Sequence, residues 1–284
     1  ILCGARGDCT VNCQELGTCT ALVDCDAATN CEINCDEEDS CVDQFGVEAG
    51  ISALTLNCNN DLTCSGDIVN CGIAGCAISC LGNNSCGMDL NLQGQLAQLD
   101  CLGTQACSRI VDCSLDQQGC VINCGGFESC LQEVTCGAQG IGNECTVRCA
   151  GNASCSNGII CLSDTCTLAC DNEGCQGDVI CEQGTGTCTV DCENDSCNGD
   201  VVCDTEAECN LSCSGNLSCQ QQVECTSENA DCLVACSGDE SCAQEVLCQA
   251  GGNCDVVCAG DDACLGGTQC TATRELNDCD RDAE

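Results

Sequence analysis

The sequence predicts an all-β fold: a flattened two-sided β-solenoid of about twelve 22-residue coils, each turn closed by a local disulfide. Three observations predict it. Cysteines recur at a near-constant period, aliphatic residues alternate with them at a spacing of two, and two paired losses of cysteine indicate how they bond. The segment Cys188–Cys209, CTVDCENDSCNGDVVCDTEAEC, shows the unit. Its four positions, a to d, are Cys188, Cys192, Cys197 and Cys203, and Cys209 is the a of the next copy.

The b cysteines are Cys13, Cys35, Cys58, Cys80, Cys101, Cys124, Cys149, Cys170, Cys192, Cys213, Cys236 and Cys258, separated by 21 to 25 residues. An internal period of this size is the signature of a solenoid, in which each repeat buries its apolar face only against its neighbours. The whole chain, 1–284, is therefore expected to be one repeat domain, with short tails at 1–2 and 280–284.

Within a copy, a, a+2 and b share one parity, and a+2 is always aliphatic: Val11, Ile33, Leu56, Ile78, Leu99, Ile122, Val147, Leu168, Val190, Leu211, Val234 and Val256. A period of two marks a short strand with one buried face. A second strand is expected around d, where Val23, Val111, Val134, Ile159, Val179, Val201, Val223 and Val246 stand two residues before it. Between b and c lie Gly, Asn, Asp and Ser, as in AGNAS (150–154), SGNLS (214–218) and SGDES (237–241), which is turn chemistry.

The pairing follows from the exceptions. Val47 replaces a d cysteine and Leu54 the next a, and Leu92 and Ala97 do the same two copies later. A lone survivor would be a reactive thiol, so d and the following a leave together because they are bonded. By elimination b bonds to c. Cys13–Cys19 and Cys192–Cys197 are then b–c bonds, Cys25–Cys31 and Cys203–Cys209 are d–a bonds, and Cys3–Cys9 and Cys270–Cys279 close the ends. Twelve b–c and eleven d–a bonds use all 46 cysteines.

Composition agrees. With no proline, no lysine, no histidine and only Phe45 and Phe127 as aromatics, bulky side chains cannot fill a wide interior, and something thin and cross-linked is implied. Cysteine well above the ~10 % that marks a disulfide scaffold places the chain in an oxidising, extracellular or cell-surface setting. A metal-thiolate cluster is disfavoured by the absence of Cys-Cys, Cys-x-Cys and histidine. A formal charge of −41 with five arginines excludes nucleic-acid and anionic-membrane binding, both of which need basic patches. It implies solubility, or affinity for divalent cations or a basic partner. No apolar run reaches the ~18 residues of a membrane span. The start at Ile1, without a basic and apolar leader, is expected of a mature signal-cleaved chain or a fragment.

Residues for catalysis are not evident. There is no histidine, no Gly-x-Ser-x-Gly and no phosphate loop with lysine, so a non-enzyme is expected. Asp178 and Asp200, three residues before d in successive copies, are expected to stack one rise apart with Glu133 and Glu245 as equivalents, and a bridging Ca²⁺ would relieve their repulsion. DEED (36–39), END (193–195) and GDD (260–262) offer further oxygens. Asn-x-Ser sequons begin at Asn83, Asn152, Asn194, Asn210 and Asn216, sites for glycans if a eukaryote secretes the chain, though Asn and Ser are also turn formers. Arg6-Gly7-Asp8 matches the integrin-binding tripeptide. Ile160, Ile180 and Val202, adjacent to d in consecutive copies, form an outward apolar strip of the kind that makes protein contacts. FGVEAGISALTL (45–56) and MDLNLQGQLAQL (88–99), where disulfides are missing, are either lateral contacts or local repacking.

The regular Cys-x-aliphatic-x-Cys coils with short disulfided turns resemble the disulfide-rich β-solenoids of insect antifreeze proteins and of repetitive secreted proteins of microbial eukaryotes. The antifreeze type implies ice binding on a flat Thr-x-Thr ladder. The outward pairs here, Thr10/Asn12, Glu32/Asn34, Thr55/Asn57, Ala77/Ser79, Thr146/Arg148 and Thr189/Asp191, are mixed and charged. The expectation is a secreted structural rod, roughly 55–60 Å long at ~4.8 Å per coil. It would self-associate as a homopolymer into a filament, appendage or coat, with no required cofactor. The alternative is a solenoid that binds Ca²⁺, mineral or ice on its acidic face.

Overall fold

The computed structural model describes residues 7–19, 23–25, 28–41, 45–46, 53–65, 69–70, 75–92, 96–113, 119–137, 143–184, 186–272 and 277–281. Its regular elements are all strands, and every described strand pair is parallel. One sheet has 13 strands, from Asp8–Cys13 to Asn277–Arg281, and contains every a-to-b segment. The other has 10, from Val69–Asn70 to Thr268–Ala272, and a two-stranded piece, Val23–Asp24 with Phe45–Gly46, precedes it. Ten consecutive turns thus carry both sheets without a break, and two coils come before them.

Register explains why the repeat folds this way. Cys9, Val11 and Cys13 pair with Cys31, Ile33 and Cys35, and Cys188, Val190 and Cys192 pair with Cys209, Leu211 and Cys213. Like therefore stacks on like along the rod, and a single-residue slip would turn every inward side chain to solvent. The aliphatic residues of both half-coils are buried from Val11 to Val256, and with the cysteines they form one continuous core.

Each short turn is bridged. The structure joins b to c in Cys13–Cys19 and Cys192–Cys197, and d to the next a in Cys25–Cys31 and Cys203–Cys209. The Cα atoms of the described pairs lie 5.6 to 6.5 Å apart, normal for disulfides. No free cysteine occurs among the described residues. Cys9, Cys76 and Cys270 are also bonded, but the expected partners Cys3, Cys71 and the side chain of Cys279 lie outside the described residues.

The b–c turn sets the backbone. The c cysteines other than Cys175 adopt left-handed conformations, with φ of 53° at Cys64, 51° at Cys107 and 53° at Cys219. An L-residue there costs roughly 1–2 kcal/mol. The covalent bond and an amide bond to the previous coil, such as Cys107 N–H to the Ser85 carbonyl at 3.0 Å, hold it in place. Close stacking of the turns also demands glycine. A Cβ on Gly103 would lie 2.0 Å from the Gly82 carbonyl oxygen, and one on Gly126 2.0 Å from that of Gly103.

Two expectations are corrected and one choice is settled. Residues 280 and 281, expected in a tail, continue the last strand through Arg281. Cys279, expected at an a position, stands in register with Val256, so that Asn277 and Arg281 take the rung positions of Cys254 and Cys258. Where the d–a bond is missing, Leu92 and Ala97 are each 1 % exposed, with Met88, Leu90 and Leu54 equally buried. At 88–92 and at Ala97 the departure is therefore inward repacking, aliphatic volume in place of two sulfurs, while Leu96 is exposed. Val47 lies outside the described residues.

Cys203→Ala is expected to expose one titratable thiol, at Cys209, and to lower stability by about 2 kcal/mol. Alkylation without reductant followed by peptide mapping checks it, and label on any other cysteine would refute the d–a pairing.

Candidate functional site

The surface is built from the turns outward. On the b–c edge the residue before c is a fully buried Ser or Thr in eight copies: Ser40, Thr63, Ser85, Ser129, Ser154, Ser196, Ser218 and Ser241. The hydroxyls of Ser85, Ser129 and Ser218 donate to the carbonyls of Gly82, Gly126 and Gly215 at 2.7, 2.9 and 2.7 Å, and that of Ser196 donates to the Cys170 carbonyl at 2.8 Å. Three residues beyond b, an Asx side chain accepts the amide N–H of its counterpart one coil on. Asp61 accepts from Asn83 at 2.8 Å, Asn83 from Thr104 at 3.1 Å, Asn216 from Asp239 at 3.2 Å and Asp239 from Asp261 at 3.2 Å.

This geometry gives the sequons a structural reason. Ser85, Ser154, Ser196 and Ser218, the third residues of four of them, are the buried turn hydroxyls. Asn83, Asn152, Asn194 and Asn216 are exposed on the edge, whereas Asn210 sits half-buried on a strand. Asn152 donates to Glu173 at 2.7 Å and Asn210 to Glu208 at 3.2 Å.

Asp178 and Asp200 are exposed, at the corner leading into the second sheet. They do stack, and one oxygen of each has a backbone partner: Asp178 Oδ1 accepts the Asp200 N–H at 2.9 Å, and Asp200 Oδ1 accepts the Gln222 N–H at 3.2 Å. The pair thus extends the main-chain ladder through its side chains, a role that spacing alone did not disclose. Of the equivalents, Glu245 accepts a hydrogen bond from Gln269 and Glu133 one from Thr135 at 3.3 Å. The turns 36–39, 193–195 and 260–262 lie on this same b–c edge, with Asp39, Asp195 and Asp262 at positive φ. Groups of three buried sulfurs, such as Cys13, Cys35 and Cys41, come within 4.8 Å of one another, but they are disulfide sulfurs rather than thiolates.

Carboxylates of successive coils sense each other around Arg148. Its guanidinium lies 3.1 Å from Asp171, and beside them the negative charges of Asp171 and then Asp191 push the Glu193 carboxyl above its usual range. Arg6 is outside the described residues, and Asp8 of the tripeptide opens the first strand and accepts from Asn30 at 2.7 Å.

Ile160, Ile180 and Val202 are direct neighbours in the second sheet, preceded by Thr135 and followed by Glu224 and Leu247. Each is half-buried rather than fully exposed, because the column lies between the flanking side chains of its own sheet. The fully exposed aliphatics stand elsewhere, with Leu81 and Leu102 one coil apart on the b–c edge beside Phe127. These escaped sequence reasoning because they fall at variable turn positions. A shallow open depression of about 360 Å³ is lined by Asp89, Ser108, Arg109, Ile110 and Gln132.

The fold and surface define a disulfide-stapled parallel β-solenoid with acidic ladders on its edges. No family model, curated protein or solved structure matches the chain.

Two substitutions test the ladders. Asp178→Asn retains the accepting Oδ1 and should leave stability within about 0.5 kcal/mol, whereas Asp178→Ala should cost about 1 kcal/mol in urea denaturation. A saturable Ca²⁺ heat in calorimetry that Asp178→Asn abolishes would instead make the pair a cation site. The second concerns pH. A carboxyl raised in the fold favours folding below its unfolded value, near 4.5, and loses that contribution as pH rises through the folded value. Glu193→Gln should therefore be more stable than the parent at pH 7, with the difference closing below about pH 4 in thermal melts.

Proposed function

We propose that the chain is a secreted structural protein: a rigid, disulfide-stapled rod that self-associates into an extracellular filament, appendage or coat. Extensive disulfide bonding is typical of extracellular proteins, which supports the placement. The observation that carries the reading is the unbroken in-register parallel ladder, which aligns Ile160, Ile180 and Val202 as an apolar column on three successive coils. Aligned surface apolar side chains of this kind favour contact with another protein surface.

The association is lateral, through Ile160, Ile180 and Val202. On this reading the protein has no catalytic role and requires no cofactor. Cation binding on the acidic face ranks second, since one oxygen of Asp178 and one of Asp200 already serve the backbone.

Electron microscopy of native material should show ordered assemblies of rods roughly 55–60 Å long. Ile180→Asp should reduce assembly at least tenfold in sedimentation while leaving the β-sheet circular dichroism unchanged. Discrete monomers at every concentration and ionic strength would overturn the proposal.

A further inference from the structure

The fold concentrates charge along a line. The described carboxylates all lie at the surface, since every buried polar residue is Ser or Thr. From the first to the thirteenth strand of the larger sheet there are twelve steps. At ~4.8 Å per step the rod is about 58 Å long. The described side chains include 35 carboxylates and two arginines, −33 net, which over that length is about one net charge per 1.7 Å, the density of duplex DNA. Two unit charges in water interact with energy RT at about 7 Å, so the rod is far above the density at which counterions must gather on a line charge.

The side chains show the crowding directly. Asp171 and Glu193 stand on successive coils and Asp191 beside them, and the first and third raise the affinity of the second for a proton. Arg148, one of five basic residues in the chain, is paired with Asp171 at 3.1 Å. The negative charge is not one cluster. Exposed acids occur on both edges, as at Asp61, Asp239 and Asp261 on one and Glu206, Glu228 and Asp231 on the other.

We infer that the folded rod is a DNA-like polyanion that binds linear polycations, specifically Lys/Arg-rich polypeptide segments, by releasing its counterion atmosphere. An extended peptide rises ~3.4 Å per residue, so eight basic residues span about 27 Å, or about six coils, with several carboxylates in reach of each cation. Recognition belongs to the line density and requires no pocket. Partner affinity is then steep in salt and tolerant of the peptide's order of residues. This inference is independent of self-assembly, because a single rod already has the required density.

The fold dependence supplies the test. Reduced and carboxyamidomethylated chain has the same side-chain charges, but along an extended contour of ~3.4 Å per residue they fall about one per 24 Å, beyond the 7 Å limit. Binding of fluorescent octalysine is measured on native and alkylated chain between 50 and 200 mM NaCl. The native rod is expected to give a log Kobs against log salt slope of about −7, near 0.9 per peptide charge. The alkylated chain is expected to show a much shallower slope and roughly 100-fold weaker binding at 50 mM. Equal slopes for both forms would overturn the inference, reducing the effect to net charge. So would a native slope shallower than about −3, or no saturable binding at 50 mM NaCl.

Discussion

A covalent bond across a turn of about six residues is the constraint from which the rest of this rod follows. Each coil encloses only a narrow strip of sulfur and aliphatic side chains, too thin to offset chain entropy by burial alone. Closing a six-residue loop restricts the unfolded chain by about 2 kcal/mol in the entropic account, and the bonds recur in almost every half-coil. On the b–c edge the same bond holds every c cysteine except Cys175 in a left-handed conformation, and on both edges it reverses the chain within one short turn and brings the next strand back in register. Where it is missing, Leu92, Ala97, Met88 and Leu90 move volume inward to keep the coil closed.

Much of this was legible in the sequence. The parity of a, a+2 and b identified the inward face, and the joint loss of d and the following a at Val47/Leu54 and Leu92/Ala97 indicated the pairing that the described bonds follow. The candidate site was less legible because its features depend on contacts between coils. Nothing in the spacing of Asp178 and Asp200 reveals that each carboxylate accepts the amide of the following coil. Likewise the sequon serines Ser85, Ser196 and Ser218 are buried donors, a role set by the close stacking of the turns rather than by the tripeptide itself. The last rung misled for a related reason. Cys279 follows Cys270 at a plausible distance, but the backbone register puts it opposite Val256.

Charge and assembly pull against each other. Rods with the line density of DNA repel strongly at low salt, and the repulsion is screened over about 8 Å at physiological ionic strength. A short aliphatic strip such as Ile160, Ile180 and Val202 can join two rods only where that screening, or a cationic partner lying between them, offsets the field. Assembly and polycation binding would then be linked, with the partner acting as the mortar between like-charged rods.

The two edges also differ in how much chain they admit. Described b–c bonds enclose separations of 5 or 6 residues, whereas d–a bonds range from 5 in Cys161–Cys166 to 9 in Cys136–Cys145, with Cα distances of 6.2 and 6.0 Å. Both edges carry coil-to-coil hydrogen bonds, such as Cys107 N–H to the Ser85 carbonyl on the first and Gly251 N–H to the Ser227 carbonyl on the second, but only the second varies by several residues in length. The d–a edge is thus where foreign sequence, an epitope or a binding loop, can be grafted at one-coil intervals, making the molecule a ruled scaffold with a display face already provided.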